Sequence, residues 1–145
     1  MSIHNDRIDI LYNFPEYGSL PVTEESVNSR SEWLSERLQR EVKIKLLRDQ
    51  AEFFHELSTN PYQVVIMHMG GGRINAYDLA KRCRGVTGAF LVVESVIYGP
   101  YCGLFGPELN DGDETDPVAR KYFDAYMGVP DYEDFEKLLR KMGLG

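Results

Sequence analysis

Residues 62–84 read YQVVIMHMGGGRINAYDLAKRCR, and this stretch decides the fold class. Tyr62 to Met67 is a short apolar run rich in β-branched residues, the pattern of a strand covered on both faces. Gly70, Gly71 and Gly72 then break it sharply. Ile74, Tyr77, Ala80 and Cys83 recur at helical spacing, so an amphipathic helix follows and ends near Gly85. A buried strand, a sharp turn and a helix form half of a βαβ unit, whose strands pair in parallel.

The same alternation extends outward. Downstream, Ala89 to Val93 (AFLVV) is a second buried strand. Upstream, Asp49 caps a helix with Ala51, Phe54 and Leu57 on one face, and Asn60-Pro61 stops it. Val42 to Leu47 (VKIKLL) alternates with lysines, as a strand near a sheet edge does. Thr23 caps a longer helix, with Glu24 and Glu25 at its positive end. Val27, Leu34 and Leu38 recur along that helix, with Trp33 beside them. Arg7 to Tyr12 (RIDILY) is the first strand, ended by Pro15 and Gly18.

Tyr98 to Asp116 is different. Gly99, Pro100, Gly103, Gly106, Pro107 and Gly112 crowd it, and it reads as one long loop with no regular element. Long loops in compact domains are uncommon and often functional. Pro117 to Phe123 reads as a short helix and Ala125 to Val129 as a weak strand. Asp131 caps a last helix whose apolar face is Tyr132, Phe135, Leu138, Leu139 and Met142.

The expected architecture is therefore an α/β three-layer sandwich. Its five-stranded, mainly parallel sheet takes the flavodoxin-like order 2-1-3-4-5. The 145 residues suit a single domain spanning 1–145. In such sheets ligands bind at the carboxyl ends of the strands, where Asn13, His68 and Ser95 are expected to converge beside Gly70.

Composition narrows the function classes. Hydrophobic residues make up 43% and charged residues 27%, as in ordinary globular chains. The net charge of −7 repels a phosphate backbone, and the basic residues are scattered, so direct nucleic-acid binding is not expected. No apolar run reaches the roughly 18 residues of a membrane span, and residues 1–9 lack a signal-peptide core. A reducing, cytoplasmic location is the default. Cys83 and Cys102 form no CxxC pair and are expected as free thiols.

Few motifs carry chemistry. His68 follows a strand, and the bland reading is a hydrogen-bonded strand-end histidine. His4 and His55 are remote in sequence, so no metal site is assigned. The glycine run lacks both GxGxxG spacing and a Walker lysine, so no cofactor is assigned. Asp111 to Asp116 (DGDETD) misses the glycine and glutamate positions of a calcium loop. Tyr98, Tyr101, Leu104 and Phe105 place contact-forming side chains in the long loop, which suits a binding surface.

At this point the chain resembles the receiver domain of bacterial response regulators. Residues 62–84 look like a receiver's third strand, phosphorylation loop and third helix. The run AYMGVPDYEDFEKLLRKM looks like its fifth strand, loop proline and last helix. The resemblance implies an acidic pair after the first strand, where Tyr12, Asn13 and Phe14 stand with only Glu16 nearby. It implies a phospho-accepting aspartate where His68 stands, and a lysine where Val129 precedes Pro130. The hydroxyl residue that should end the fourth strand is matched by Ser95 or Glu94. Magnesium requires carboxylate oxygens that these positions lack, so aspartyl-phosphate chemistry is not expected. The resemblance therefore implies a degenerate receiver, or pseudo-receiver. A second resemblance, to caspase-like folds, rests on HMGGG after the third strand and YGPYC after the fourth. There the nucleophile follows the strand directly; here Val96 or Ile97 stands in that place and Cys102 lies beyond.

Two functional expectations follow. The first is a non-catalytic signalling or adaptor domain that contacts another protein or a second copy of itself. Its expected surface is the last helix and the loop of Tyr98, Tyr101, Leu104 and Phe105. The alternative is a small-molecule binder or enzyme using the pocket around Asn13, His68, Gly70 and Ser95.

Overall fold

The computed structural model describes residues 7–14, 23–68, 78, 80–95, 102–104, 122–128 and 132–144, with 132 and 134 as backbone only. In chain order the elements are β1 (Ile8–Asn13), α1 (Glu24–Leu38), β2 (Val42–Leu47), α2 (Gln50–Thr59), β3 (Val64–His68), β4 (Phe90–Glu94), β5 (Cys102–Leu104), β6 (Ala125–Met127) and α3 (Tyr132–Lys141). A helical turn at 80–83 precedes β4.

The strands form one sheet in the order β2-β1-β3-β4-β6-β5. The first five are parallel, so β2-β1-β3-β4-β6 is the order expected from the sequence. The sixth, β5, lies antiparallel to β6 on the outer edge. Residues 102–104 are thus a strand inside the segment read as loop. Local patterning could not reveal it, because the strand is three residues long, has a glycine at its centre and pairs with a strand distant in sequence. That glycine has a reason. A Cβ at Gly103 would stand 2.9 Å from the hydroxyl of Tyr126, its cross-strand partner.

Side-chain alternation splits the core into two layers. Ile8, Ile10, Val64, Ile66 and Val92 face α1 and α3, meeting Val27, Leu34, Phe135 and Leu138. Leu11, Val65, Met67, Leu91 and Val93 face the other way, meeting Phe53 and Leu57 of α2 and Ala80 and Cys83 of the helical turn. All of Val64 to Met67 are buried, which is why that strand reads as an unbroken apolar run.

The helix caps follow the expected chemistry. The Thr23 hydroxyl accepts from Ser26 N and the Ser26 hydroxyl from Thr23 N, closing a capping box at α1. Asp49 accepts from Glu52 N at α2. Gly143, at φ +83°, lets the chain turn after α3, where Leu144 N donates to Leu139 O. The proposed Asp131 cap, Tyr132's place on the apolar face, Ile74, Tyr77 and residues 117–121 of the short helix expected over Pro117 to Phe123 lie outside the described residues; Tyr122 is helical and Phe123 is not. One helical face differs from expectation. On α2 it is Phe53 and Leu57 that are buried, while Ala51 is exposed and Phe54 lies half-buried with the Arg82 guanidinium 4.3 Å from its ring. The i, i+4 pair Phe53/Leu57 points into the core, and Phe54 is one position off that line.

Candidate functional site

The carboxyl ends of β1, β3 and β4 lie side by side, and register decides which side chains meet there. Tyr12 pairs with Ile66, Asn13 with Met67 and His68 with Glu94. Strand alternation then puts Tyr12, Phe14, His68 and Glu94 on the α1/α3 face and Asn13 on the α2 face. The expected convergence of Asn13 with His68 therefore does not form. The Asn13 amide instead donates to Leu47 O at 3.0 Å and to Arg48 O at 3.4 Å, tying β1 to the end of β2. Ser95 is buried and its backbone N donates to Met127 O, which continues the β4–β6 ladder. Gly70 lies outside the described residues.

What does form around His68 is a buried polar chain. One carboxylate oxygen of Glu94 accepts from the Tyr12 hydroxyl at 2.5 Å and meets His68 Nδ1 at 2.8 Å. The His68 and Glu94 side chains are 12% and 10% exposed. The Phe14 ring lies against the imidazole, with centroids 4.3 Å apart, and Tyr12 meets Phe14 edge-on. Burial pushes the Tyr12 phenol far above its ordinary value, and the Glu94 charge and hydrogen bond push it further. Arg30 of α1 opposes this with its charge and a hydrogen bond to the phenol, while its guanidinium sits 6.0 Å from the Phe135 ring. Tyr12 is thus held as a hydrogen-bond donor to Glu94. A buried carboxylate is costly unless it is hydrogen-bonded, and two donors converge on Glu94.

Glu94 was legible in the sequence only as an alternative to Ser95, and Tyr12 only as the residue standing where an acid was expected. Arg30 gave no local signal. The parity of 12, 68 and 94 within three neighbouring strands was the clue that relates them.

The arrangement holds an oriented histidine–carboxylate pair, a geometry that positions an imidazole for proton transfer. It does not assemble a cysteine–histidine pair. His68, Glu94, Met127 and Cys102 form one row across β3, β4, β6 and β5. Three strand spacings put Cys102 about 14 Å from His68, so the caspase-like pairing is set aside. Cys83 is buried beneath the sheet, which pushes its thiol up to about 12. Both cysteines are free. Among the described residues no three His, Cys, Asp or Glu side chains come together to hold a metal ion.

In the long segment, Leu104 projects from β5 and is exposed, and Tyr98, Tyr101 and Phe105 lie outside the described residues.

No protein-family model and no curated protein matches the chain. Solved structures do. A response regulator receiver domain (CheY-like) from Methylobacillus flagellatus superposes with a TM-score of 0.63 at 17% identity, over 93% of this chain and 98% of that one. A two-component response regulator from Clostridium difficile gives 0.56 at 17% identity, over 93% and 98%. The regulatory domain of the repressor of iron transport regulator, in its inactive form, gives 0.58 at 14% identity, over 94% of each chain. The chain has the CheY-like, flavodoxin-like fold of these receiver domains, extended by the antiparallel strand β5.

Proposed function

We propose that the chain is a single signalling or adaptor domain of pseudo-receiver type, which works by protein–protein contact and carries out no phosphoryl chemistry. One observation carries this reading. In a receiver-like fold, the strand-end position that the resemblance gives to a phospho-accepting aspartate holds His68, fastened to Glu94, whose same oxygen accepts from Tyr12. Phe14 lies tilted against the imidazole, so apolar surface covers one side of the position where a hydrated magnesium ion would need oxygen ligands, and the Glu94 carboxylate beside it is engaged by His68 and Tyr12. The site is built as a fixed structural unit.

Contact is assigned to the β5 edge, where Leu104 is exposed, together with Tyr98, Tyr101 and Phe105 and the last helix. A cytoplasmic location and absence of direct nucleic-acid binding belong to the same proposal. They are supported by two free thiols and by the net charge of −7. Among the described residues no helix is long and apolar enough to cross a membrane.

The test is incubation with acetyl phosphate and magnesium, followed by intact-mass measurement. The mass is expected to stay unchanged, and beryllofluoride should leave the amide spectrum unshifted. A stable phosphoryl adduct would overturn the reading.

A further inference from the structure

The opposite edge of the sheet, at β2, has a feature that the strand-end reading leaves unused. In the parallel β1–β2 ladder, Ile8 N donates to Glu41 O and Phe14 N to Leu47 O. The backbone groups of odd-numbered β2 residues therefore point to β1, and those of Val42, Ile44 and Leu46 point outward. Two of the outward donors are already taken. Val42 N donates to the Ser35 hydroxyl at 2.8 Å and Ile44 N to the Ser31 hydroxyl at 3.2 Å, from one i, i+4 pair on α1. Beyond these serines no described residue bonds to the edge. Leu46 N–H and the carbonyls of Ile44 and Leu46 have no hydrogen-bond partner among the described residues.

A cleft of about 600 Å³ wraps this part of the strand and touches both of its faces. On one face its floor is Lys43 and Lys45, with Arg7 nearby; on the other it is Ile44 and Leu46 against Val27. Arg7 is paired with Asp9 and Lys45 with Glu56. Lys43 is exposed and has no carboxylate partner among the described residues, so it is the excess cation of its face, while Glu24 of α1 lines the Val27 side and leaves the cleft as a whole without net charge.

We propose that the open half of β2 is a docking site for an extended acidic peptide, added as a further strand at this edge. Leu46 N–H with its own carbonyl suits an antiparallel strand, and with the Ile44 carbonyl a parallel one, so either direction gains two backbone bonds. Side chains of the added strand alternate between the two faces. Acidic residues meet Lys43 and Lys45, and apolar residues meet Leu46 and Val27. A second copy of the chain is a poorer occupant, because antiparallel β2–β2 pairing sets lysines against lysines. This surface is independent of the strand-end reading, and either can fail without the other.

The test uses the whole chain and two fluorescent eight-residue peptides, one alternating glutamate with valine and the other lysine with valine. The acidic peptide is expected to bind saturably at low salt and to slow hydrogen exchange at the Leu46 amide. Lys43→Glu removes an exposed, unpaired side chain and should leave the melting temperature unchanged. It should weaken the acidic peptide about tenfold, the effect of a partly desolvated ion pair. Equal binding of both peptides, binding indifferent to Lys43→Glu, or no protection at Leu46 would overturn the proposal. So would concentration-dependent self-association that protects Leu46 without peptide.

Discussion

Tyr12→Phe removes a single oxygen from the centre of the buried polar chain. The Tyr12 side chain is 2% exposed, and its hydroxyl makes the shorter of the two contacts to Glu94. The phenylalanine ring keeps the packing against Phe14, so the perturbation is confined to the hydroxyl's hydrogen bonds with Glu94 and Arg30. A bond to a charged, buried acceptor contributes about 1.5–3 kcal/mol, and among the described residues Glu94 is left with His68. A chain of this length has an unfolding entropy near 0.3 kcal/mol/K, so the melting temperature should fall by about 5–10 °C. Urea denaturation should show the same loss at unchanged slope. A second signature separates this from generic loosening. The folded phenol holds its proton above the ordinary value of 10, whereas the unfolded phenol releases it there. The folded state then binds more protons, so the stability of the parent declines as pH rises above about 10. Tyr12→Phe should show a shallower decline. A variant within about 0.5 kcal/mol of the parent, with the same alkaline limb, would refute the claim that Tyr12 secures Glu94.

Other outcomes are equally concrete. Cys83 should resist a neutral-pH thiol reagent in the folded protein, while half-buried Cys102 reacts; finding Cys83 modified first would contradict the burial described. Hydrogen bonds from Arg140 and then Arg37 hold the Glu136 carboxyl below its ordinary value of 4.5. Its contribution is therefore complete above that value and lost as pH falls below it, and Glu136→Gln should flatten the acid limb of a urea-midpoint profile. Ser35→Ala strips the acceptor from Val42 N and should cost about 1–2 kcal/mol by urea denaturation, with no change in the β3–β4 amides.

Much of the fold was legible because it rests on local patterns. The all-buried run Val64 to Met67, the caps at Thr23 and Asp49 and the lysine alternation of β2 each announce an element without help from distant residues. β2 does lie at the sheet edge. The α2 face was misread by one position because Phe53 and Phe54 are adjacent and equally apolar, so composition alone could not say which points inward. β5 was missed because its pairing with β6 is decided across an intervening segment rather than within it.

The strand-end site divides along the same line. The sequence by itself determined that His68 ends a buried strand and that alternating strands and helices make a parallel sheet. Only the tertiary structure decided His68's partners. Register between strands sets which parities share a face, and a shift of one residue would have exchanged Asn13 for Tyr12. Register is fixed by the packing of both helical layers at once, so the joining of Tyr12, Glu94 and His68 exists only once β1, β3 and β4 are side by side.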